Sequence, residues 1–264
     1  MDFDFVPLRD AEKAVTGAPD GTPSGLDGLA EVLAQAAGEA EPWADTPAAT
    51  PSPAPISPHR LGSLSERYES GGRGPGTVSS GLRDPGGVSY GLYQMATRTG
   101  TAASFVAAEG AAWGPEFRGK APGSAAFTAA WQAIAAREAP AFAQAQHAFI
   151  ERTHYRPVVT AVRAGSGLDL DSRADAVRDA CWSCAVQHGA AAKVLLRGIA
   201  AADKACPRAD PGYDRALIEA IYAQRTAYVR DIAAGSDPGA ARTLLDIAAR
   251  RYPSERAAAL AMLG

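Results

Sequence analysis

The sequence predicts a mainly α-helical protein with one small β-hairpin. Three observations carry that expectation. Alanine supplies 60 of the 264 residues; it is the best helix former, and its short side chain lets helices pack closely. Aromatics make up only 7% of the chain, and runs rich in Val, Ile or Thr are few. That excludes an all-β sandwich or barrel and argues against a large parallel sheet. Apolar residues recur at helical spacing from about residue 101 to the end, with Gly or Pro at most junctions. The formal net charge is −3, so the global basic field of a nucleic-acid binder is absent. No run of about 18 apolar residues exists, and a membrane span is not expected.

The elements are taken in chain order. MDFDFVPLRDAEKAV is acidic and lacks a basic region followed by an apolar one, so no secretory signal peptide is expected there. Ser24–Ala40 reads as one amphipathic helix, with Leu26, Leu29, Val32 and Leu33 at helical spacing. Nine of the 19 prolines fall in the first 58 residues, and Asp45–Pro58 reads as an extended linker. Residues 1–60 are therefore expected to form an N-terminal segment and residues 61–264 the folded domain. Ser63-Leu64-Ser65-Glu66 is a capping box, predicting a short helix from Leu64 that Gly71-Gly72 ends. Two β-prone stretches within Gly76–Gly91 flank Asp84-Pro85-Gly86-Gly87, strong turn chemistry that predicts a hairpin. Helices are then expected at about 101–110, 124–139, 140–153, 156–164, 172–187, 190–203, 211–233, 239–251 and 254–262.

Two carboxylates stand out. Glu69 falls in the last turn of the short helix, where the negative end of the helix dipole disfavours its ionised form. With partial burial, both effects raise its pKa and suit a general acid. Asp84 falls in a Gly-rich, wetter turn and is expected to stay ionised. Two carboxyls pushed apart in this way match the acid and base roles of glycosidases. Each also has a plain structural reading, a solvated helix-end Glu and a good first turn residue.

The stretch Leu64–Gln94, LSERYESGGRGPGTVSSGLRDPGGVSYGLYQ, resembles the signature of a peptidoglycan-cleaving muramidase domain. That domain is found at the C-terminus of type VI secretion spike proteins and in phage lysins, and is similar to chitosanases of the lysozyme-like superfamily. A second piece, Trp182-Ser183 and then Val186–Ala191, supports the resemblance, which covers about residues 61–262. It implies a lysozyme-like, two-lobed helical domain with the hairpin beside an active-site cleft. It also implies that Glu69 is the catalytic acid, Asp84 the second catalytic carboxylate, and Ser89 a hydroxyl that helps hold the attacking water. Thr77, Tyr90, Gln94, Gln187 and His188 match positions expected to line the cleft and bind substrate. Pro85 departs from the pattern, where a small residue is expected, and stiffens the turn.

The implied reaction is hydrolysis of β-1,4 bonds in peptidoglycan glycan strands, without cofactor or metal. A type VI secretion effector acting in a target cell's periplasm fits the missing signal. Residues 1–60 would then meet a secretion spike or chaperone, and an immunity protein would plug the cleft. A phage-type endolysin, a lytic transglycosylase and a non-catalytic wall-binding module are the alternatives. Cys181, Cys184 and Cys206 are the three cysteines. An odd number excludes a dense disulfide framework. Small buried packing residues, a Cys184–Cys206 disulfide, a zinc site with His188 and a redox pair all remain open. Trp113, Trp131 and Trp182 are expected in the core.

Overall fold

A computed structural model describes residues 59–65, 74–81 and 86–264. The amphipathic segment 24–40, the Pro-rich stretch 45–58, Glu69 and Asp84 lie outside the described residues. Among the described residues the architecture is mainly α. A helical turn begins at residues 63–65. A two-stranded antiparallel ribbon comes next, β1 (Ser89–Tyr90) and β2 (Met95–Ala96), with Ser89 opposite Ala96 and Tyr90 opposite Met95. Then come α1 (Thr101–Ala107), α2 (Gly114–Phe117) and the long α3 (Ala125–Ile150). After these come α4 (Arg156–Ser166), α5 (Asp175–Gln187), α6 (Ala191–Ala205), α7 (Tyr213–Ala234), α8 (Pro238–Asp246) and α9 (Tyr252–Ala261).

The predicted hairpin is joined by a second, tighter one. The two stretches expected to pair do meet, through one bridge between Val78 and Tyr90. Backbone bonds from Ser79 N–H to Ser89 O (2.9 Å) and from Gly91 N–H to Thr77 O (2.7 Å) complete it. The regular ladder instead forms between β1 and β2, across the four-residue turn Gly91–Gln94. Two positive φ values make that turn possible, 77° at Gly91 and 46° at Gln94. Gly91 needs to be glycine for a second reason. A Cβ there would lie 2.3 Å from Gln146 Oε1 and 3.1 Å from Trp131 Cζ2.

The helices keep the predicted order with local differences. The stretches expected at 124–139 and 140–153 join into α3, but Glu138 is non-helical (φ −134°, ψ 39°) just ahead of Pro140. The proline ring lacks an N–H and clashes with the preceding turn, so it bends the helix without ending it. Two one-turn π-helical segments, Glu151–Tyr155 and Ile247–Arg251, join α3 to α4 and α8 to α9 without a break. The predicted helix at 172–187 begins later, because Leu170–Ser172 forms a separate 3-10 turn capped by Asp169. The short helical stretch Ala111–Phe117 is an addition to the predicted elements; it places Trp113 and Phe117 in the core.

Two aromatic groups fill the interior. Trp131 packs against Tyr90, Phe105, Phe117, Phe127 and Phe142, with ring centroids 4.7–6.1 Å apart. Trp182 packs against Tyr93, His147 and Tyr155. The three tryptophans expected in the core are all there. Helices α6 and α7 approach closely at Gly198, where a Cβ would sit 3.2 Å from Ile221 Cα. The cysteines are three free thiols; Cys181 and Cys184 are buried packing residues of α5. No described helix is long and apolar enough to cross a membrane.

Gly91→Ala is expected to cost about 2–4 kcal/mol, combining left-handed strain with overpacking against Gln146 and Trp131. Urea unfolding of the two proteins side by side measures the loss.

Candidate active site

The predicted site residues fall into two groups. Thr77, Ser89, Tyr90 and Gln94 are gathered in the β unit by the backbone bonds described above. Thr77 donates its hydroxyl to Gly74 O (2.8 Å), which fixes the loop entering the unit. Tyr90 is fully buried; its hydroxyl pairs with Thr128 Oγ1 (2.8 Å) and accepts from Gly123 N–H (3.1 Å). It therefore holds the β unit to α3. Gln94 donates Nε2–H to Gly91 O (2.9 Å) and braces its own turn.

Ser89 differs from these. Adjacent strand residues point to opposite faces, so its side chain lies on the face away from Tyr90 and the Trp131 cluster. The residue is 1% exposed, and its hydroxyl has no hydrogen-bond partner among the described residues. A buried hydroxyl without a partner costs free energy.

The second group, Gln187 and His188, ends α5. That helix is buried on nearly every side: from Ala176 to Gln187 only Arg178 escapes full burial. At its end the chain turns out of the helix, with His188 extended (φ −112°, ψ 132°). Gln187 Oε1 accepts a short bond from Arg225 of α7. His188 Nε2 pairs with the Tyr252 hydroxyl at 3.0 Å, and its ring meets Tyr228 edge-on. Both side chains are thus oriented by α7 and α9. The turn Gly91–Gln94 reaches α5 through Tyr93, whose ring lies 6.0 Å from that of Trp182.

Sequence reasoning missed the residues that organise these groups. Gln146, fully buried in α3, accepts from Leu92 N–H (2.9 Å) and donates to Pro75 O (3.1 Å). Trp131 Nε1–H donates to the same Pro75 O (2.9 Å). Arg225 and Glu255, both fully buried, lie 3.7 Å apart, and Arg251 reaches Glu255 at 3.4 Å. Ser183 donates to Glu255 Oε1 and accepts from Arg225. The Arg225 guanidinium lies 4.8 Å from the ring centre of Tyr222 and 4.5 Å from that of Tyr252. Burial pushes the Glu255 carboxyl up, but Arg251, Arg225 and the Ser183 bond outweigh it and hold it below its ordinary value. The available signal was Arg225 on the apolar face that Ile218, Ile221, Tyr222, Val229 and Ile232 define along α7. Among the described residues no group of three or more His, Cys, Asp or Glu is arranged to hold a metal.

The family described as "Type VI secretion system spike protein VgrG3-like, C-terminal" matches residues 61–250. The chain belongs to this VgrG3-like C-terminal family. One relative is the type VI secretion system spike protein VgrG3 of Vibrio cholerae serotype O1, 39% identical over 139 residues. The match takes in 53% of this chain but only 13% of VgrG3. The family match contains Glu69, Asp84, Ser89, the β unit and all of α5, along with Arg225. Glu255 lies just beyond its last residue.

Glu255→Gln removes the buried carboxylate that Arg225 and Arg251 both face and is expected to cost roughly 3 kcal/mol at neutral pH. Because the folded carboxyl is held below its ordinary value of 4.5, its contribution is complete above that pH. It is lost as pH falls through the lower folded value. The stability gap between wild type and Glu255→Gln should therefore narrow on acidification, which urea unfolding at several pH values measures.

Proposed function

We propose that the chain is a peptidoglycan glycoside hydrolase of the muramidase type, delivered by type VI secretion. The observation that carries this reading is the family match across 61–250, the span that holds the Glu69, Asp84 and Ser89 motif. The unpartnered, buried Ser89 hydroxyl supports it from the structure. In this reading the helical domain is lysozyme-like and two-lobed, with the β unit beside the cleft.

Glu69 protonates the glycosidic oxygen as the C–O bond breaks. Asp84 takes a proton from water, which attacks the anomeric carbon from the opposite face. Ser89 holds that water by accepting from it or donating to it. The outcome is inversion if the two carboxyls stand about 6.5–9.5 Å apart, the gap a water requires. Thr77, Tyr90, Gln94, Gln187 and His188 shape the cleft around the glycan strand. The enzyme acts in the periplasm of a target cell, residues 1–60 meet the spike or a chaperone, and an immunity protein blocks the cleft.

Digestion of purified sacculi, with the released muropeptides read by mass spectrometry, tests the reading. Wild type should release fragments with ordinary reducing ends. Glu69→Gln and Asp84→Asn should each lose roughly 10²–10⁴-fold in rate, the size of a general acid or base contribution. Ser89→Ala should lose about tenfold, the equivalent of one hydrogen bond to a reacting water. Anhydro ends, with Asp84→Asn still active, would assign a lytic transglycosylase. Binding to the wall without release would leave only a wall-binding module.

A further inference from the structure

The strongest unexplained feature outside the candidate site is a buried acid that spends its lone pairs on a distant stretch of chain. Asp179, on α5, is fully buried. Its Oδ1 accepts from Gly62 N–H (2.7 Å). Its Oδ2 accepts from Leu64 N–H (2.9 Å) and from the Ser63 hydroxyl (3.3 Å), and lies 3.1 Å from His59 Nε2. The first N–H groups of a helix lack partners within it, and a carboxylate meets them best because it is charged. Here the cap comes from another helix, 115 residues away.

Two neighbours tighten the same attachment. His147 of α3 donates Nε2–H to Leu61 O at 2.6 Å. The His147 ring stacks on Trp182 at 4.7 Å with the planes 13° apart. Trp182 in turn lies flat against Gly62, where φ is +84° and a Cβ would come within 2.6 Å of the indole. The backbone from Leu61 to Leu64 is therefore held on three sides, by Asp179, His147 and Trp182. From Leu64 the chain reaches Glu69 in five residues.

We infer that Asp179 is a positioning residue for the reaction, because it fixes the backbone from which the chain runs to Glu69. This rests on the hydrolase reading above. Apolar packing could not take its place, because the buried Gly62 and Leu64 N–H groups would be left without an acceptor. What the carboxylate adds is direction, since each lone pair meets one particular donor. Reacting groups misplaced by about 1 Å lose on the order of 10²-fold in rate, so direction at this point bears on turnover.

Asp179→Asn keeps the size of the side chain but replaces one acceptor oxygen with a donor. It is expected to lower kcat on sacculi 10- to 100-fold with apparent KM within twofold of wild type. Hydrogen exchange at Gly62 and Leu64 should quicken at least tenfold, and the basic limb of the pH–rate profile, which tracks Glu69 protonation, should move. Val177→Ala, a core truncation in the same helix, serves as the stability control and should keep kcat within twofold. If Asp179→Asn does not fold, Ser63→Ala removes one donor only, and at least a threefold loss of kcat is expected. A kcat for Asp179→Asn (or, where it does not fold, for Ser63→Ala) no lower than that of Val177→Ala overturns the inference while leaving the hydrolase reading intact. Wild type without turnover, or Glu69→Gln with full turnover, overturns the hydrolase reading and this role with it.

Discussion

A carboxylate, a hydroxyl and an amide succeed one another at four-residue intervals along the buried face of one helix. Asp179, Ser183 and Gln187 lie on one stripe of α5, all buried. Buried polar groups must find protein partners, and α5 cannot supply them to itself. The surrounding architecture is arranged to do so. The chain at 59–64 comes to Asp179; α7 brings Arg225 to Ser183 and Gln187; α9 brings Glu255 to Ser183 and Arg225. Removing α5 from its place would strand charges at both ends of the stripe, so the helix ties the start of the domain to its last helices.

The β unit is attached to that frame by a parallel device. Gln146 and Trp131 of α3 share Pro75 O, and Gln146 also caps Leu92 N–H. Tyr90 enters the Trp131 cluster while its hydroxyl meets Thr128 and Gly123. Each of these polar groups is satisfied at a depth where a missing partner is costly. Against that background the unpartnered Ser89 hydroxyl gains meaning. Among the described residues the buried hydroxyls without a hydrogen-bond partner are those of Ser65, Ser89 and Tyr222, and of these only Ser89 lies in the β unit.

The two π-helical turns have a similar purpose. Each inserts one residue into an otherwise continuous helix and rotates the turns after it. The first carries Tyr155 inward to Trp182 and to Asp171 Oδ1 at 2.9 Å. The second carries Arg251 inward to Glu255. Neither turn has a sequence signature, and the sequence reads each stretch as two helices separated by a short break.

Read alone, the sequence determined the helical class, the order of most helices and an irregularity at Pro140, because these depend on side chains within a few residues of one another. It also displayed the spacing of Glu69, Asp84 and Ser89, which lies within one stretch of about 20 residues. Tertiary structure decided the rest. The choice of Met95–Ala96 over Val78 as the regular partner of β1 depends on positive φ at Gly91 and Gln94 and on the close approach of Gln146. The roles of Asp179, Gln146, Arg225 and Glu255 depend on partners as far as 117 residues away. A charged side chain on an apolar helix face signals that a partner exists. Only the packing of the other helices around α5 says which one it is.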